Sequence, residues 1–248
     1  MSTEVVRGVG GAALACYEEE SREGVRWADD LRLVEAASPV DAADRIVVEL
    51  SGWGATTQAV LGAHLVERGA GVRREFDTFT HGLQGFSPPL APTLLPSNLA
   101  VRPAEAVDPA ELRETYAAAY PVGHPDHHDM SKFEDLLALM AGTLMGPLLP
   151  TSAVLIDTDR GVGVAAVLAH DCPGIPPEEG PWISEVFRDP APAYRGIGSL
   201  LLRHVLEASA EAGIPALGLA VTAGNPAARV YADIGFVRTA RWVDLVLP

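Results

Sequence analysis

EVFRDPAPAYRGIGSLLL, residues 185–202, runs from an apolar, strand-like segment through a glycine-bearing turn straight into a leucine-rich helix. Gly196 and Gly198 let a backbone approach a ligand closely, and helix onset near Ser199 leaves several N–H groups without intrahelical partners. With the positive end of the helix dipole, those donors suit a pyrophosphate. The stretch therefore predicts a phosphorylated ligand held by the main chain at a strand–turn–helix junction.

Working outward, Trp182–Arg188 is the strand entering this turn and Gly198–Ala212 the helix leaving it. Ala216–Val221 reads as a buried strand, Pro226–Ile234 as a short helix closed by Gly235, and Phe236–Leu247 as terminal strand material. Upstream, Leu99–Arg102 suits a strand. Pro109–Tyr120 suits a helix with Asp108 as N-cap and Pro109 at its first position. Ser131–Leu144 suits a second helix, with Ser131 and Glu134 spaced as a capping box. Ala153–Asp157 and Gly163–His170 are strands joined by the turn-rich TDRG. The order is strand, two helices, three strands, helix, strand, helix, strand.

The Pro-rich stretch Ser87–Asn98 marks a boundary, dividing residues 1–97 from 98–248, whereas Cys172–Pro181 reads as a loop between strands. Before the boundary, Asp44–Leu50 (DRIVVEL) suits a strand, Thr56–Gly69 a helix and Val72–Thr80 another strand; a helix is expected near Trp27–Ala37. This strand–helix–strand outline matches that of residues 216–247, so the N-terminal α/β extension reads as a degenerate half of the same fold, without the glycine turn.

The net charge of −15 and a single lysine, Lys132, argue against a nucleic-acid partner. Acidity points equally to cationic ligands and to plain solubility. The apolar runs are far shorter than the ~18–20 residues that span a bilayer, so no membrane partner is expected. The first twenty residues carry four glutamates and no basic region before an apolar core. Cys16 and Cys172 form no disulfide framework or zinc motif. The expectation is a cytoplasmic protein.

AYRGIG (Ala193–Gly198) and NPAARVYADIGF (Asn225–Phe236), about thirty residues apart in this order of elements, resemble the two signature motifs of the GNAT superfamily of acyl-CoA-dependent N-acetyltransferases. A Rossmann fingerprint would need a third glycine, and position 201 is Leu; a Walker loop would need Gly-Lys-Ser/Thr. The resemblance covers residues 98–248. It implies an α/β fold with a mixed, strongly twisted sheet flanked by helices, and acetyl-CoA as co-substrate. Two positions depart from the pattern: Ala193 stands where the family has Arg or Gln, and Asn225 lies one residue closer to Tyr231.

By that resemblance, main-chain groups of Val186, Phe187 and Arg188 pair with the pantetheine arm. Those of Tyr194, Arg195, Gly196, Ile197, Gly198 and Ser199 bind the diphosphate, with Asn225 also on the cofactor. Tyr231 is placed to protonate the departing thiolate, since a phenol of pKa ~10 is a reasonable donor to a thiol of pKa ~8.5; the alternative is a core tyrosine. Glu185 is the candidate base. An ordinary glutamate lies about six pKa units below a lysine-like ammonium, roughly 8 kcal/mol uphill. It would need a raised pKa, a water relay or a less basic amine; otherwise it faces solvent or pairs with an arginine.

The run GHPDHHDM, Gly123–Met130, crowds His124, Asp126, His127, His128 and Asp129 into the loop that in the resembled fold walls the acceptor site. Of these, His124, Asp126 and His127, with Ser184 on the strand, are the acceptor-binding candidates, and a loop histidine is the alternative to Glu185 as base; helix capping or a solvated loop is the competing reading. Ligands this close in sequence rarely all converge, so no metal is expected. The function implied is transfer of an acetyl group to a primary amine by direct attack, without an acyl-enzyme, because neither motif contains cysteine. A non-catalytic acyl-CoA-binding regulator and an O-acyltransferase are the alternatives. The acceptor is a small molecule or a peptide, and the C-terminal strand could pair two subunits into a homodimer.

Overall fold

A computed structural model describes residues 3–22, 24–85, 95–127, 133–174 and 177–248. Most of the Pro-rich stretch at 87–98, Lys132, His128, Asp129 and the capping Ser131 lie outside the described residues. In the C-terminal part the expected order of elements is present: β6 (Leu99–Pro103), α3 (Arg113–Ala119), α4 (Phe133–Met140), β7 (Ala153–Asp157), β8 (Val162–Pro173), β9 (Glu179–Arg188), α5 (Ile197–Glu211), β10 (Ala216–Thr222), α6 (Ala227–Ile234) and β11 (Val237–Val246). Asp108 caps as expected, accepting from the Ala110 N–H at 2.9 Å, but the first turn it opens, Pro109–Leu112, is 3₁₀. Gly235 closes α6 with φ at 113°, a left-handed conformation that glycine adopts without steric cost.

The N-terminal part departs from expectation at three places. DRIVVEL belongs to a helix, α1 (Pro39–Glu49), not a strand. Ser38 accepts from the Asp41 N–H, Pro39 sits in the first turn, and Ala42, Ala43, Ile46 and Leu50 are buried at helical spacing. The β-branched run Ile46-Val47-Val48 obscured that pattern, although Val48 faces solvent. Conversely, residues near Trp27 form strand β3 (Val25–Leu33) rather than a helix. Its buried Asp29 and Asp30 break the apolar look of a core strand, and they are accommodated because Arg22 and Arg32 pair with them. β1 (Thr3–Arg7), β2 (Ala13–Arg22), β4 (Gly54–Gln58), α2 (Ala59–Val66) and β5 (Gly71–Gly82) complete this part. The segment read as one helix, 56–69, is thus the end of a strand followed by a short helix.

Among the described residues eleven strands form one sheet, ordered β1-β2-β3-β4-β11-β5-β10-β9-β8-β7-β6. The order is nearly palindromic about the antiparallel pair β11–β5. Each side of that pair carries a run of antiparallel strands (β1 to β3 on one, β6 to β9 on the other), a helix, a parallel-paired strand, a helix and a last strand; the C-terminal side has β6, α3 and α4 in addition. The last strand of each half lies inside the other: β5 separates β10 from β11, and β11 separates β4 from β5. Two halves that exchange a strand in this way share one hydrogen-bonded ladder.

The register also fixes which helices share a face. Leu219 pairs with Phe79 and Val243 with Glu75, and residues 75 and 79 point the same way on β5. Hence α1 and α2, packed on Ala28, Ala55 and Leu245, cover the same face as α5 and α6, packed on Leu155, Leu217 and Leu219. The opposite face is covered by α3 and α4 over Val154, Ala166, Leu168 and Phe187. No helix among the described residues is long and apolar enough to cross a membrane.

Candidate active site

The glycine turn is a rigid platform. Gly196 adopts φ 88° at the N-cap of α5, and the open space around it and Gly198 would accommodate a ligand: an added Cβ would meet nothing within 3.4 Å at either position. The turn is anchored from below by Tyr194, whose buried phenol donates to Asp157 at 2.5 Å and accepts from Arg160 at 3.0 Å. Its amide donates to the Ala191 carbonyl, and that of Arg195 to Pro192. Tyr194 and Arg195 therefore have no main-chain donor to offer a diphosphate, contrary to the sequence expectation. The amides of Gly196, Ile197, Gly198 and Ser199 have no carbonyl one turn behind them and face outward from the helix start. Arg195 is exposed beside them.

Beyond the turn the sheet opens. β9 and β10 pair in parallel only at Trp182–Gly218 and Ile183–Leu219, and then part. Trp182 packs over Gly218, where any side chain would overlap its ring. The N-terminal half repeats this device with Trp27 over Gly54, but there the gap is closed: β3 and β4 pair again at Leu31–Thr57, and the Thr57 hydroxyl donates to the Leu31 carbonyl at 2.6 Å. Among the described residues, the C-terminal half keeps an open cleft at this place, of about 1240 Å³.

On the β9 lip, Asp189 N–H donates to the Val164 carbonyl on the β8 side, and Arg188 pairs with Ala165. Strand alternation then turns the N–H and C=O of Phe187 towards β8, and those of Val186 and Arg188 towards the opening. Phe187 accordingly has no main-chain group facing the cleft; its ring packs on Tyr116 instead, 5.0 Å between centroids.

Glu185 projects into the cleft on the α3 side. The Tyr120 hydroxyl donates to its Oε2 at 2.8 Å and the Tyr116 hydroxyl to its Oε1 at 3.3 Å. Burial raises the Glu185 pKa from its ordinary 4.5 to about 7; the two phenol hydrogen bonds oppose the rise, while the charges of Asp126 and Asp135 add to it. Tyr231 is buried beside the same space and lines the cleft from α6. Burial, then the Glu185 and Asp126 charges, push its phenol well above the usual value, so it stays protonated. The site thus sets a carboxylate poised to accept a proton near neutrality close to a phenol that keeps its own.

The loop after α3 arrives with its polar groups engaged. Asp126 accepts from the Thr222 hydroxyl and from Asn225 Nδ2, the latter at 2.6 Å. Asn225 Oδ1 accepts from the Ala227 N–H at 2.8 Å. Asn225 is thus held at both ends within the protein, leaving one Nδ2 hydrogen for the cofactor contact the motif implied. His124 Nδ1 accepts from the Asp126 N–H at 3.1 Å, and His127 Nδ1 lies 2.7 Å from the Tyr120 carbonyl, so both histidines brace the loop. The Ser184 hydroxyl lies between His170 Nδ1 (3.0 Å) and the Leu168 carbonyl (3.3 Å). His170 is fully buried, its pKa lowered by that burial, and its other ring nitrogen lies 2.9 Å from the Leu139 carbonyl. These contacts turn Ser184 towards the sheet interior.

Tyr116, Tyr120, Thr222 and Arg74 were missed as site residues by sequence reasoning. The first two carried a readable signal, since YAAAY on a helix places two phenols one turn apart on one face. Nothing local marked the others: Arg74 Nε donates to Thr222 Oγ1 at 3.0 Å across strands 148 residues apart in sequence.

The model of the acetyltransferase (GNAT) family matches residues 110–236, just over half of the chain. The structure resembles a GCN5-related N-acetyltransferase from Sphaerobacter thermophilus at a TM-score of 0.64 and 18% identity, covering 98% of this chain and 79% of that one. A tandem GNAT protein from the clavulanic acid biosynthesis pathway matches at 0.58 and 14%, covering 98% and 82%. A GCN5-related N-acetyltransferase from Kribbella flavida matches at 0.56 and 15%, covering 94% and 86%. No curated protein matches the sequence. At such identities the structural likeness speaks for the fold, and the family match for membership: this chain belongs to the GNAT acetyltransferase family.

Proposed function

We propose that the protein transfers an acetyl group from acetyl-CoA to a primary amine by direct attack on the thioester. The observation that carries this reading is the position of Glu185, half-buried with a pKa near 7, where β9 and β10 separate and Tyr231 lines the opposite side. Acetyl-CoA is the donor substrate. The outward amides of Gly196, Ile197, Gly198 and Ser199 would hold its diphosphate, and the main-chain groups of Val186 and Arg188 its pantetheine arm.

The amine nitrogen attacks the thioester carbon as the C–S bond breaks. Glu185 takes the proton the nitrogen loses, and the Tyr231 hydroxyl supplies one to the departing sulfur. With its pKa near 7, Glu185 lies only about three units below an alkylammonium instead of six, which lowers the uphill proton transfer to about 4 kcal/mol. An α-amine would be nearly matched. The carboxylates of Asp126, Asp135 and Glu178 around the cleft favour a cationic acceptor.

The test is release of free CoA from acetyl-CoA over a panel of alkylamines, α-amino peptides and arylamines, alongside calorimetry with CoA. Turnover with at least one amine class, reduced at least a hundredfold in Glu185→Gln, supports the reading. CoA binding without turnover on any amine would favour a regulator. No CoA binding at all would remove the donor site on which the reading rests.

A further inference from the structure

The loop between α3 and α4 touches both lips of the cleft. Through Tyr120 it reaches Glu185 on β9, and through Asp126 it reaches the turn between β10 and α6. We propose that Asp126 is a positioning residue whose carboxylate straps the acceptor-side loop to the β10–α6 turn, so that the acceptor pocket and the donor channel are shaped together. The naming of the two sides rests on the function proposed above.

The hydrogen-bond directions single out a carboxylate for this post. Each Asp126 oxygen takes one donor, Thr222 Oγ on one side and Asn225 Nδ2 on the other. Thr222 Oγ1 itself accepts from Arg74 Nε, so its proton is free to point at Asp126, and the chain Arg74–Thr222–Asp126 is polarised in one sense. Arg74 comes from β5, the strand the N-terminal half inserts beside β10, and its guanidinium sits 4.9 Å over the Phe76 ring. Asn225 is fixed in turn by the Ala227 amide at the start of α6, the helix that carries Tyr231. With both oxygens engaged, Asp126 is not an acceptor ligand; it holds the loop that presents Tyr120 and the turn that leads to Tyr231. An asparagine in its place would accept one of the two bonds and set its own N–H₂ against the other donor.

Lys132 is the only lysine in the chain and lies six residues beyond Asp126 in sequence, so a lysine-specific endoprotease has a single site within the same inter-helix segment. The experiment measures its cleavage rate on the full chain for wild type, Asp126→Ala and Thr222→Val, with and without CoA, after circular dichroism confirms that each variant is folded. The expectation is cleavage about tenfold faster or more in Asp126→Ala, as loss of charge-assisted hydrogen bonds raises the open population. Thr222→Val, which keeps the Asn225 bond, should fall between. CoA should slow wild type and leave Asp126→Ala unchanged. Ligand-free rates within twofold for wild type and Asp126→Ala would overturn the strap. CoA that binds by calorimetry yet slows both proteins equally would overturn the coupling. If wild type binds no CoA, the proposed function falls, while the ligand-free rates still decide the strap.

Discussion

Glu185→Gln should make this protein more stable, and only at neutral and alkaline pH. The native carboxyl has a pKa of about 7 against an ordinary 4.5, raised first by burial. A glutamate raised in the folded state binds its proton more tightly there than in the unfolded chain. Its protonated form is therefore favoured on folding: stability is full below about pH 4.5, falls as pH rises through the window from 4.5 to 7, and stays low above it. The loss is about 2.5 pKa units, or roughly 3 kcal/mol, at pH 8, and under about 1 kcal/mol at pH 5. Glutamine fills the same space, still accepts from Tyr120 or Tyr116, and carries no charge at any pH. Thermal unfolding of both proteins between pH 5 and 8.5 should show a melting-temperature gain for the variant of about 6–12 °C at pH 8, shrinking to about 2 °C at pH 5. A gain independent of pH, or a variant less stable than wild type at pH 8, would refute the claim that Glu185 is held against its charge.

The same ionisation should shape the rate: kcat/KM for CoA release should fall about tenfold per unit below pH 7 and level off above it, since the base acts only when deprotonated. Tyr231→Phe should lower kcat about a hundredfold and leave calorimetric CoA binding unchanged, because the phenol meets the sulfur only as it departs. The raised Tyr231 pKa further implies that no loss of rate through Tyr231 ionisation appears below pH 10. Gly196→Ala should cost about 1–2 kcal/mol in urea unfolding, since only glycine sits freely at φ 88°, whereas Gly198→Ala, with open space 3.8 Å from Arg188, should leave stability nearly unchanged.

Much of the C-terminal half was legible because its signals are local. Asp108 before Pro109, the left-handed Gly196 and Gly235, and the continuous apolar runs of β7 and β8 each act within a few residues of where they are read. The N-terminal half misled for a local reason of its own: three β-branched residues in DRIVVEL outweighed the helix start at Ser38-Pro39. The buried Asp29 and Asp30 on β3 made sense only once Arg22 and Arg32 were seen to pair with them. At the site, the glycine turn could be read from the residues, and Glu185 and Tyr231 could be named only through the family resemblance, while the engagement of Tyr194, Ser184 and Asn225 could not be read at all.

What the sequence by itself determined is the order of elements after residue 98, the phosphate-ready helix start, and a carboxylate and a phenol in the family's positions. Those properties depend on neighbours along the chain. The tertiary structure alone decided that β5 enters the other half of the sheet, that the Trp182 cleft stays open while the Trp27 cleft is shut, that Glu185 titrates near 7, and that Asp126 spans to Thr222 and Asn225. Each of these arises between groups about 25 to 150 residues apart or from burial, and neither pairing at such separations nor desolvation has a local signature in sequence.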